Sequence, residues 1–382
     1  KKIIIIMNIT CTQENLKGNL DNALRIVKQN VTLPILNNFL LSTDKGRLRI
    51  SSTDLEIGFT SWVSSKVLKD GSITVPAQLL SQFIGNLPNK NVNLEVKDQK
   101  LHITCDNIKA AISGLNPDDF PIIPKIKNTF NLTINSKVLK ESLSSVVNSA
   151  ALSSARPEIS SVYLKIEPDC IKFISTDGFR LAHKTLLLSS EYLKDKIKVD
   201  FSKSQNIIIP LRTIGEVLRI LGDKNIEVKI STDQNQILFD FGDIHLISRL
   251  IEGNYPDYEA IIPKSSETKC FISKNSLEEA VRLSGCFSSR LNDVILKTIS
   301  DKSYLEVFSN NSEIGNHKTS INSEIQGGDI DITFNWRYLL DGLKNTRDDE
   351  IILEFNGDQK PAVIKSTQGI DFFYILMPIK ST

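Results

Sequence analysis

The chain of 382 residues is poor in the residue types that build metal centres and disulfide frameworks. It has five cysteines and four histidines, all well separated, with no Cys-x-x-Cys pair. An odd, unclustered set of cysteines is typical of reduced thiols in a reducing compartment, and scattered histidines are a poor basis for a metal site. We therefore predict no disulfide, no metal and no cofactor, and a cytoplasmic location.

A long hydrophobic run is also missing. The N-terminal KKIIIIMNITC is apolar only from Ile3 to Met7, which is shorter than the core of a secretory signal and far shorter than a membrane span. Either Met7 is the natural start, or the whole run is a first β-strand. The sequence predicts no association with a membrane.

Catalytic motifs are absent from the sequence as well. It has no phosphate-binding GxxxxGK[ST] loop, no GxGxxG and no HExxH. Asp240-Phe241-Gly242 matches a kinase triplet, but no HRD loop precedes it and the surrounding residues alternate as in a strand. Asp54 and Asp177 would form an acid/base pair only if they converged in space, and an aspartate after a strand usually has a turn role. We therefore predict that the protein is not an enzyme.

What the sequence does contain is the composition of a folded protein with more than one domain. Hydrophobic residues make up 40% and charged residues 24%, and the net charge is +1. A chain of this length exceeds the size at which single cores stop growing, so two or three domains are expected. The balance of charge argues against a polybasic tail, but it does not describe how charge is distributed over the surface.

An internal repeat organises the chain. LPILNNFLLST, RPEISSVYLKI and SRLNDVILKTI begin at positions 33, 156 and 289, and each has the apolar alternation of a half-buried strand. The following strands are LRISSTDLEIG, IKFISTDGFRLA and LEVFSNNSEIG. Thr53, Thr176 and Asn310 are related by offsets of 123 and 134, and so are Pro34, Pro157 and Leu291 in the preceding segments. In the third copy Asn310-Asn311 keeps the turn-forming character and loses the charge, as a turn role permits.

Two helix candidates occur in each copy. Leu277, Ala280, Val281 and Ser284 predict one helical face, and Leu79, Leu80, Phe83, Ile84 and Leu87 predict another. The fold class is therefore α+β, with three tandem domains of two helices against β-sheets, at 1–127, 128–262 and 263–382. The alternative is three unrelated α+β domains with similar patterns. The repeated offsets favour the tandem repeat.

Several motifs together resemble one family. TLPIL (32–36), STDLEI (52–57), TVPA (74–77), TDGFRLA (176–182), IEGNYPDY (251–258) and YILMPIK (374–380) are similar to those of the bacterial DNA polymerase III β subunit, the sliding clamps. The resemblance implies a head-to-tail homodimer whose six domains form a ring around double-stranded DNA. Such a ring is a processivity factor, and it tethers the replicative polymerase α subunit, the clamp loader and repair proteins through short linear peptides.

A sliding ring must attract phosphates without reading bases, so basic residues are expected on the helices that line its hole. By the resemblance, Arg212 is the first candidate for DNA binding, followed by Arg25 and Lys28. Asn30 and Gln78 stand where relatives often have a basic residue. Exposed helix faces carry such residues in any protein, and the candidate helices also bear Lys17, Lys137, Lys140, Arg219, Lys274, Arg282, Arg337 and Lys344.

The resemblance also implies a pocket for partner peptides between the second and third domains. Without it, Ile375 and Met377 would be interpreted as core strand residues. Aliphatic walls and a methionine suit varied apolar anchors, and a glycine lets a peptide approach the backbone. The residues implied are Arg156, Ile159, Thr176, Gly178, Arg180, Leu181, Pro256, Ile261, Ile375, Met377 and Pro378.

The resemblance also implies which residues close the ring. Ala110 and Ile112 of one chain would face Arg282 and Leu283 of the other. The alternative function is a DNA-binding regulator or scaffold of tandem α+β domains that does not close into a ring.

Overall fold

The computed structural model describes residues 7–28, 32–124, 126, 130–153, 155–191, 193, 195–200, 204–346, 348–367, 369 and 371–380. Within these residues the element order repeats three times as strand, helix, several strands, helix and three strands. The prediction of a tandem repeat is therefore confirmed. Residues 1–6, which contain all of the N-terminal apolar run except Met7, lie outside the described residues. The first strand begins at Met7.

Among the described residues, the first two copies contain nine strands each and the third contains eight. The strands of the first copy are β1 (Met7–Thr12), β2 (Asn38–Asp44), β3 (Arg47–Thr53), β4 (Ile57–Val63), β5 (Lys66–Lys69), β6 (Ser72–Pro76), β7 (Asn91–Lys97), β8 (Lys100–Cys105) and β9 (Ile108–Ser113). Those of the second are β10 (Phe130–Asn135), β11 (Ser161–Ile166), β12 (Cys170–Thr176), β13 (Arg180–Leu187), β14 (Ile197–Asp200), β15 (Gln205–Pro210), β16 (Glu227–Thr232), β17 (Gln236–Asp240) and β18 (Ile244–Arg249). Those of the third are β19 (Thr268–Ser273), β20 (Asp293–Ile299), β21 (Tyr304–Asn311), β22 (Gly315–Gln326), β23 (Asp331–Asn335), β24 (Glu350–Phe355), β25 (Ala362–Ser366) and β26 (Phe372–Leu376).

The chain forms two compact units, and the middle copy contributes strands to both. The first unit comprises Lys1–Ser136, Lys198–Phe201 and Arg219–Leu250, and the second comprises Lys137–Ile197, Ser202–Leu218 and Ile251–Thr382. The first contains a sheet of order β14-β10-β16-β17-β18-β4-β3-β2-β6 and another of order β5-β1-β7-β8-β9. The second contains one sheet of order β15-β11-β12-β13-β26-β25-β24-β19-β22-β21-β20-β23. The domain limits 1–127, 128–262 and 263–382 remain a prediction.

Each copy has two helices among the described residues, and side chains cap the starts of some of them. Thr12 Oγ1 accepts a hydrogen bond from the Asn15 amide at 3.4 Å, and Asn335 Oδ1 accepts one from the Arg337 amide at 3.0 Å. Such caps satisfy amides that have no partner within the helix. None of the helices among the described residues is long and apolar enough to cross a bilayer. The helices are α1 (Gln13–Leu24), α2 (Ala77–Gly85), α3 (Ser136–Val147), α4 (Leu211–Leu221), α5 (Lys274–Gly285) and α6 (Trp336–Lys344).

The predicted buried faces are correct for α5 and partly wrong for α2. Leu277, Ala280, Val281 and Ser284 of α5 are all buried. In α2, Leu79 is 51% exposed, and Leu87 lies beyond the end of the helix. Adjacent residues in a helix point about 100° apart, so a helix of nine residues buries Leu80 together with Ile84 and leaves Leu79 outside.

Helix α6 continues through Gly342, and the neighbouring strand leaves no room for a side chain at this position. A Cβ at this position would come within 2.6 Å of the Tyr374 ring of β26. A side chain of any other residue type would therefore push the helix away from the sheet. Gly342 is therefore a packing requirement of the third copy.

The cysteine thiols differ in their exposure to solvent. All five cysteines are free, and four of them are buried. Burial raises the pKa of Cys11 to about 12 and the pKa of Cys270 to about 11. These buried thiols are protonated and unreactive at neutral pH.

Candidate partner-binding and nucleic-acid-binding sites

The β3–β4 turn and the β12–β13 turn have the same hydrogen bonds. In each, the aspartate Oδ1 accepts from the amides two and three residues later, at 3.1 and 2.8 Å for Asp54 and at 2.9 and 3.0 Å for Asp177. Thr53 and Thr176 donate to the carbonyl oxygen four residues later, at 2.9 and 2.7 Å. Asn311 in the third copy accepts from the amide two residues later at 3.0 Å. The prediction that the aspartates are structural is confirmed.

Gly178 gives the second turn its shape. Its φ is +90°, in the left-handed region that side chains rarely adopt. A Cβ there would meet nothing within 4 Å. The backbone angle, rather than a lack of space, therefore favours glycine, and the backbone at this turn is open to solvent.

Arg180 holds this turn against helix α6. Its Nε lies 3.0 Å from Asp177 Oδ2 and its Nη1 lies 2.6 Å from Asp341 Oδ2. The guanidinium also lies over the Tyr338 ring, 4.1 Å from its centre, and the side chain is only 11% exposed. Burial acts to lower the pKa of Arg180, but Tyr374, Asp341 and Asp177 outweigh it and raise that pKa. Arg180 is therefore a positioning residue that stays charged.

An apolar cluster, which we call the strand-end cluster, lies beside this turn. Strands β13 and β26 pair so that Leu181 is opposite Ile375. Just beyond the ladder, the Met377 amide donates to the Phe179 carbonyl at 2.9 Å. The strand-end cluster consists of Ile174, Leu181, Tyr258, Val363 and Ile375, with Tyr163, Tyr255, Ile262 and Phe373 packed against it.

The predicted pocket residues divide into a buried floor and an exposed edge. Leu181 is completely buried and Ile375 is 1% exposed, so they can supply only the floor. Met377 is 36% exposed and Ile261 is 45% exposed. Phe179, which was not among the predicted site residues, is 63% exposed. Pro256 and Pro378 are half-buried.

Arg156 and Ile159 lie in the turn before β11. Arg156 Nε lies 3.1 Å from Glu158 Oε1, and the arginine side chain is 60% exposed. Ile159 is 5% exposed, and its carbonyl accepts a hydrogen bond from the Ala151 amide at 3.0 Å. Of these two residues, only Arg156 offers a side chain to a ligand in solution.

Aromatic side chains stiffen the strand-end cluster, and the prediction did not include them. Tyr163 and Tyr255 stack with their ring centres 4.7 Å apart, and Tyr258 meets Tyr163 edge-on at 6.2 Å. His183 stacks on Phe373 at 4.5 Å. Burial, with help from Lys172, lowers the pKa of His183 to about 4, so the ring is neutral at physiological pH. The sequence signal was present, because IEGNYPDY contains two of the three tyrosines.

The candidates for DNA binding lie at helix ends and differ in exposure. Arg25 follows the last residue of α1 and is exposed, while Arg212 is the second residue of α4 and is half-buried. Lys28 is 59% exposed and its Nζ lies 3.1 Å from Asp54 Oδ2. Gln78 is an exposed residue of α2, and Asn30 lies outside the described residues.

The residues predicted for ring closure lie on a sheet edge and on a helix. Ala110 and Ile112 belong to β9, one of the two edge strands of the five-stranded sheet. Ala110 is half-buried, and Ile112 is 6% exposed. On α5, Arg282 forms an ion pair with Glu278 at 3.3 Å, and Leu283 is 53% exposed. An edge strand has unpaired backbone N–H and C=O groups, so another chain can pair with it.

One group of potential metal ligands occurs in the part of the chain that the structure describes. Glu167, Asp169 and Cys170 place ligand atoms within 4.8 Å of one another. Glu167 is already paired, at 2.7 Å to Lys172 and 3.1 Å to Lys165. The bond from Lys172, followed by that from Lys165 and opposed by burial, lowers the pKa of Glu167 to about 2. The lysines supply the positive charge that a metal would bring.

The threefold repeat of the element order assigns the chain to the class of the DNA clamps, and comparisons with known proteins agree. Models of the DNA polymerase III beta subunit match in order, with the N-terminal domain at 7–124, the central domain at 133–257 and the C-terminal domain at 259–380. The chain belongs to the DNA polymerase III beta subunit family.

Relatives match along nearly the whole chain. The beta sliding clamp of Staphylococcus epidermidis is 27% identical over 386 residues, covering 98% of this chain and all of the relative. The sliding clamp structure from Bacillus subtilis superimposes with a TM-score of 0.92 at 26% identity, over 98% of this chain and all of that one. A Pseudomonas aeruginosa clamp bound to griselimycin has a TM-score of 0.90 at 25% identity, with the same coverage.

Proposed function

We propose that the chain is a DNA polymerase processivity factor, a sliding clamp that encircles duplex DNA without sequence specificity. Two copies close head to tail into a ring of six domains. The observation that carries the proposal is the threefold repeat of the element order within one chain, because a closed ring needs similar arcs. Family membership supports it and makes the protein a non-catalytic accessory subunit of the polymerase. A cytoplasmic location is part of the proposal, since the ring acts on chromosomal DNA.

The ring has a sharp topological test. Protein loaded by the clamp loader on nicked circular DNA should resist washing in high salt, and it should slide off after a restriction enzyme linearises the circle. A scaffold held by contacts alone would be lost equally from both forms. Sedimentation provides a second check, since a stable monomer at micromolar concentration contradicts the ring.

Arg212, Arg25 and Lys28 are proposed to contact DNA phosphates. The Lys28 side chain is 59% exposed, so its ammonium can reach a phosphate while it stays paired with Asp54. Arg212→Ala should weaken binding to any DNA sequence and reduce the log–log dependence of affinity on salt by about one unit. An unchanged slope would remove Arg212 from the contact.

The strand-end cluster and its exposed edge are proposed to bind short linear peptides of the polymerase α subunit, the clamp loader and repair proteins. Leu181 and Ile375 supply an apolar floor, and Met377 and Ile261 supply exposed apolar edges. Gly178 leaves the backbone open to a peptide. Arg156 and Thr176 are the polar members of the proposed site, while Ile159, Arg180, Pro256 and Pro378 position its walls.

Point substitutions test this pocket better than a truncation. Removing residues 377–382 would also break the hydrogen bond from the Ile379 amide to the Thr333 carbonyl on β23. The double variant Met377→Asp/Ile261→Asp changes only exposed side chains. It should bind a fluorescein-labelled peptide from the cognate polymerase at least tenfold more weakly by anisotropy, with the dimer unchanged. Leu291→Asp, at a residue 66% exposed, is the matched control, and equal affinities would refute the assignment.

Ring closure is proposed to use the β9 edge. Ala110 and Ile112 would approach Arg282 and Leu283 of the partner subunit. Because Ile112 is almost completely buried, its contribution would come through the strand backbone and the exposed neighbours. Leu283→Asp should shift the dimer towards monomer in analytical ultracentrifugation, and an unchanged dimer would exclude α5 from the interface.

A further inference from the structure

The first unit has a cavity that none of these functions uses. It lies beside the β3–β4 turn and has a volume of about 220 Å³. Its lining combines the turn, the segment after β9 and the end of β18. The residues that matter here are Thr53, Leu55, Ile122, Ile123, Ile247 and Arg249.

This cavity lies beside the β3–β4 hairpin in the same place as the strand-end cluster lies beside the β12–β13 hairpin. We call these the first and the second hairpin. The two turns share their hydrogen bonds, as described above, and are related by the 123-residue offset. In the β4–β18 ladder Gly58 is opposite Ile247, as Leu181 is opposite Ile375 in the β13–β26 ladder. The repeat therefore produces two similar strand-end surfaces, and only one of them has been given a role.

The floor of the first surface is apolar although its strand carries a glycine. A Cβ at Gly58 would lie 2.8 Å from Ile247 Cγ2 and 3.0 Å from Ile123 Cγ2. The two isoleucines thus fill the space into which a side chain on this strand would project. The first surface keeps an apolar floor that two other segments supply.

Leu55 is both strained and exposed. Its φ is +75°, in the left-handed region, at the position equivalent to Gly178. This conformation is unfavourable for a residue with a side chain, yet the Leu55 side chain is 47% exposed. Ile122, which also lines the cavity, is 92% exposed. Strained backbone and uncovered aliphatic side chains at one cavity indicate a binding surface more than a requirement of folding.

The rim of the cavity can recognise a negative charge. Arg249 Nη1 lies 3.7 Å from Glu56 Oε1, and these side chains are 63% and 62% exposed. Such a long, solvated pair contributes little, so Arg249 can exchange Glu56 for a carboxylate of a ligand. Asp54 does not oppose this, since it is 6% exposed and paired with Lys28.

We propose that this cavity is a second peptide site, which binds an extended segment of a partner protein with neighbouring aliphatic or aromatic side chains and one carboxylate. The apolar side chains would pack on Leu55, Ile122 and the isoleucine floor, and the carboxylate would pair with Arg249. The inference takes the class of ligand from the proposed function of the second hairpin. Its own support is the cavity, the strained leucine and the rim charge.

The test must separate the two surfaces. A phage library of random nine-residue peptides is panned against the full-length Met377→Asp/Ile261→Asp variant, in which the strand-end cluster is disabled. We expect enriched peptides that combine adjacent apolar residues with an acidic one. Synthetic, fluorescein-labelled copies should lose at least tenfold in affinity on the further change Leu55→Gly/Ile122→Ser, and a smaller part on Arg249→Gln.

Leu55→Gly suits the turn, because glycine adopts its backbone angle without strain, so the variant should fold. Leu68→Ser, at a residue 57% exposed, is the control and should leave the affinity unchanged. No enrichment, or enriched peptides that bind the Leu55→Gly/Ile122→Ser protein equally well, would overturn the second site. The same library panned on that variant with an intact Met377 tests the strand-end cluster alone, so the two proposals can fail separately.

Discussion

Arg180 provides the most direct test of how the second hairpin is held. Replacing it with glutamine keeps most of the side-chain length and removes the charge. The carboxylates of Asp177 and Asp341, now 3.0 and 2.6 Å from the guanidinium, would lose their cation. The cation–π contact with Tyr338 would also be lost.

The expected loss follows from the exposure of these groups. Removing one partner of a buried ion pair costs about 3–5 kcal/mol, and the contact with the ring adds roughly 1 kcal/mol. Asp341 is 27% exposed, and its Oδ1 lies 4.0 Å from Lys344 Nζ, so water and a second cation offset part of the loss. We expect local destabilisation of about 3 kcal/mol for Arg180→Gln. Arg180→Lys, which can reach only one carboxylate, should lose roughly half of this.

Hydrogen exchange is the appropriate assay, because a chain of several domains need not unfold in one step. Amides of β13 and β26 in Arg180→Gln should exchange roughly 150-fold faster, since each 1.4 kcal/mol is a factor of ten. Arg290→Gln changes an exposed arginine and serves as the control. If the two variants exchange within threefold of each other, Arg180 does not hold the hairpin.

Three further outcomes are expected. Gly342→Ala should gain about 1 kcal/mol of helix propensity but lose about 1–3 kcal/mol to the clash with Tyr374. Calorimetry should therefore show a lower melting temperature. A higher melting temperature would show that the Tyr374 ring does not require a glycine at this position. Because folding lowers the pKa of Glu167, its ionised carboxylate stabilises the fold at pH values above the unfolded-state pKa near 4.3, and this stabilisation is lost as the pH falls towards 2. In Glu167→Gln the free energy of unfolding should therefore fall by about 1 kcal/mol less over this pH range than in the unchanged protein. Identical acid-unfolding curves would show that the pair with Lys172 is ineffective. Leu55→Gly should change stability by less than about 1 kcal/mol, because relief of strain offsets the entropy of glycine; a loss above 2 kcal/mol in urea unfolding would mean that Leu55 supports the fold.

Much of the fold could be predicted because the signals were local. The turns at Asp54 and Asp177 depend on hydrogen bonds within four residues, so their side chains predict them directly. The buried face of α5 was correct for the same reason. The predicted buried face of α2 is partly wrong. Leu79 and Leu80 are equally apolar, and only packing decides which of these two neighbours faces the core.

The partner surface was harder to predict from residue types. Its floor joins Leu181 to Ile375 and Val363, which come from strands far apart in the chain. The ion pair of Arg180 spans 161 positions to Asp341, and no short-range pattern points to that partner. The exposed Phe179 lies within the TDGFRLA motif but is not among the predicted site residues, and the tyrosines of the strand-end cluster appear only as parts of motifs.

The sequence by itself determined the threefold repeat, the turns that mark it and the paucity of metal-binding and redox residues, because each depends on composition or on a few neighbouring residues. Only the tertiary structure decided that β4 pairs with β18, that β13 pairs with β26, and that two similar turns therefore end at two apolar surfaces. Strand pairing over such separations depends on the summed burial of many side chains, and a local pattern cannot express that sum.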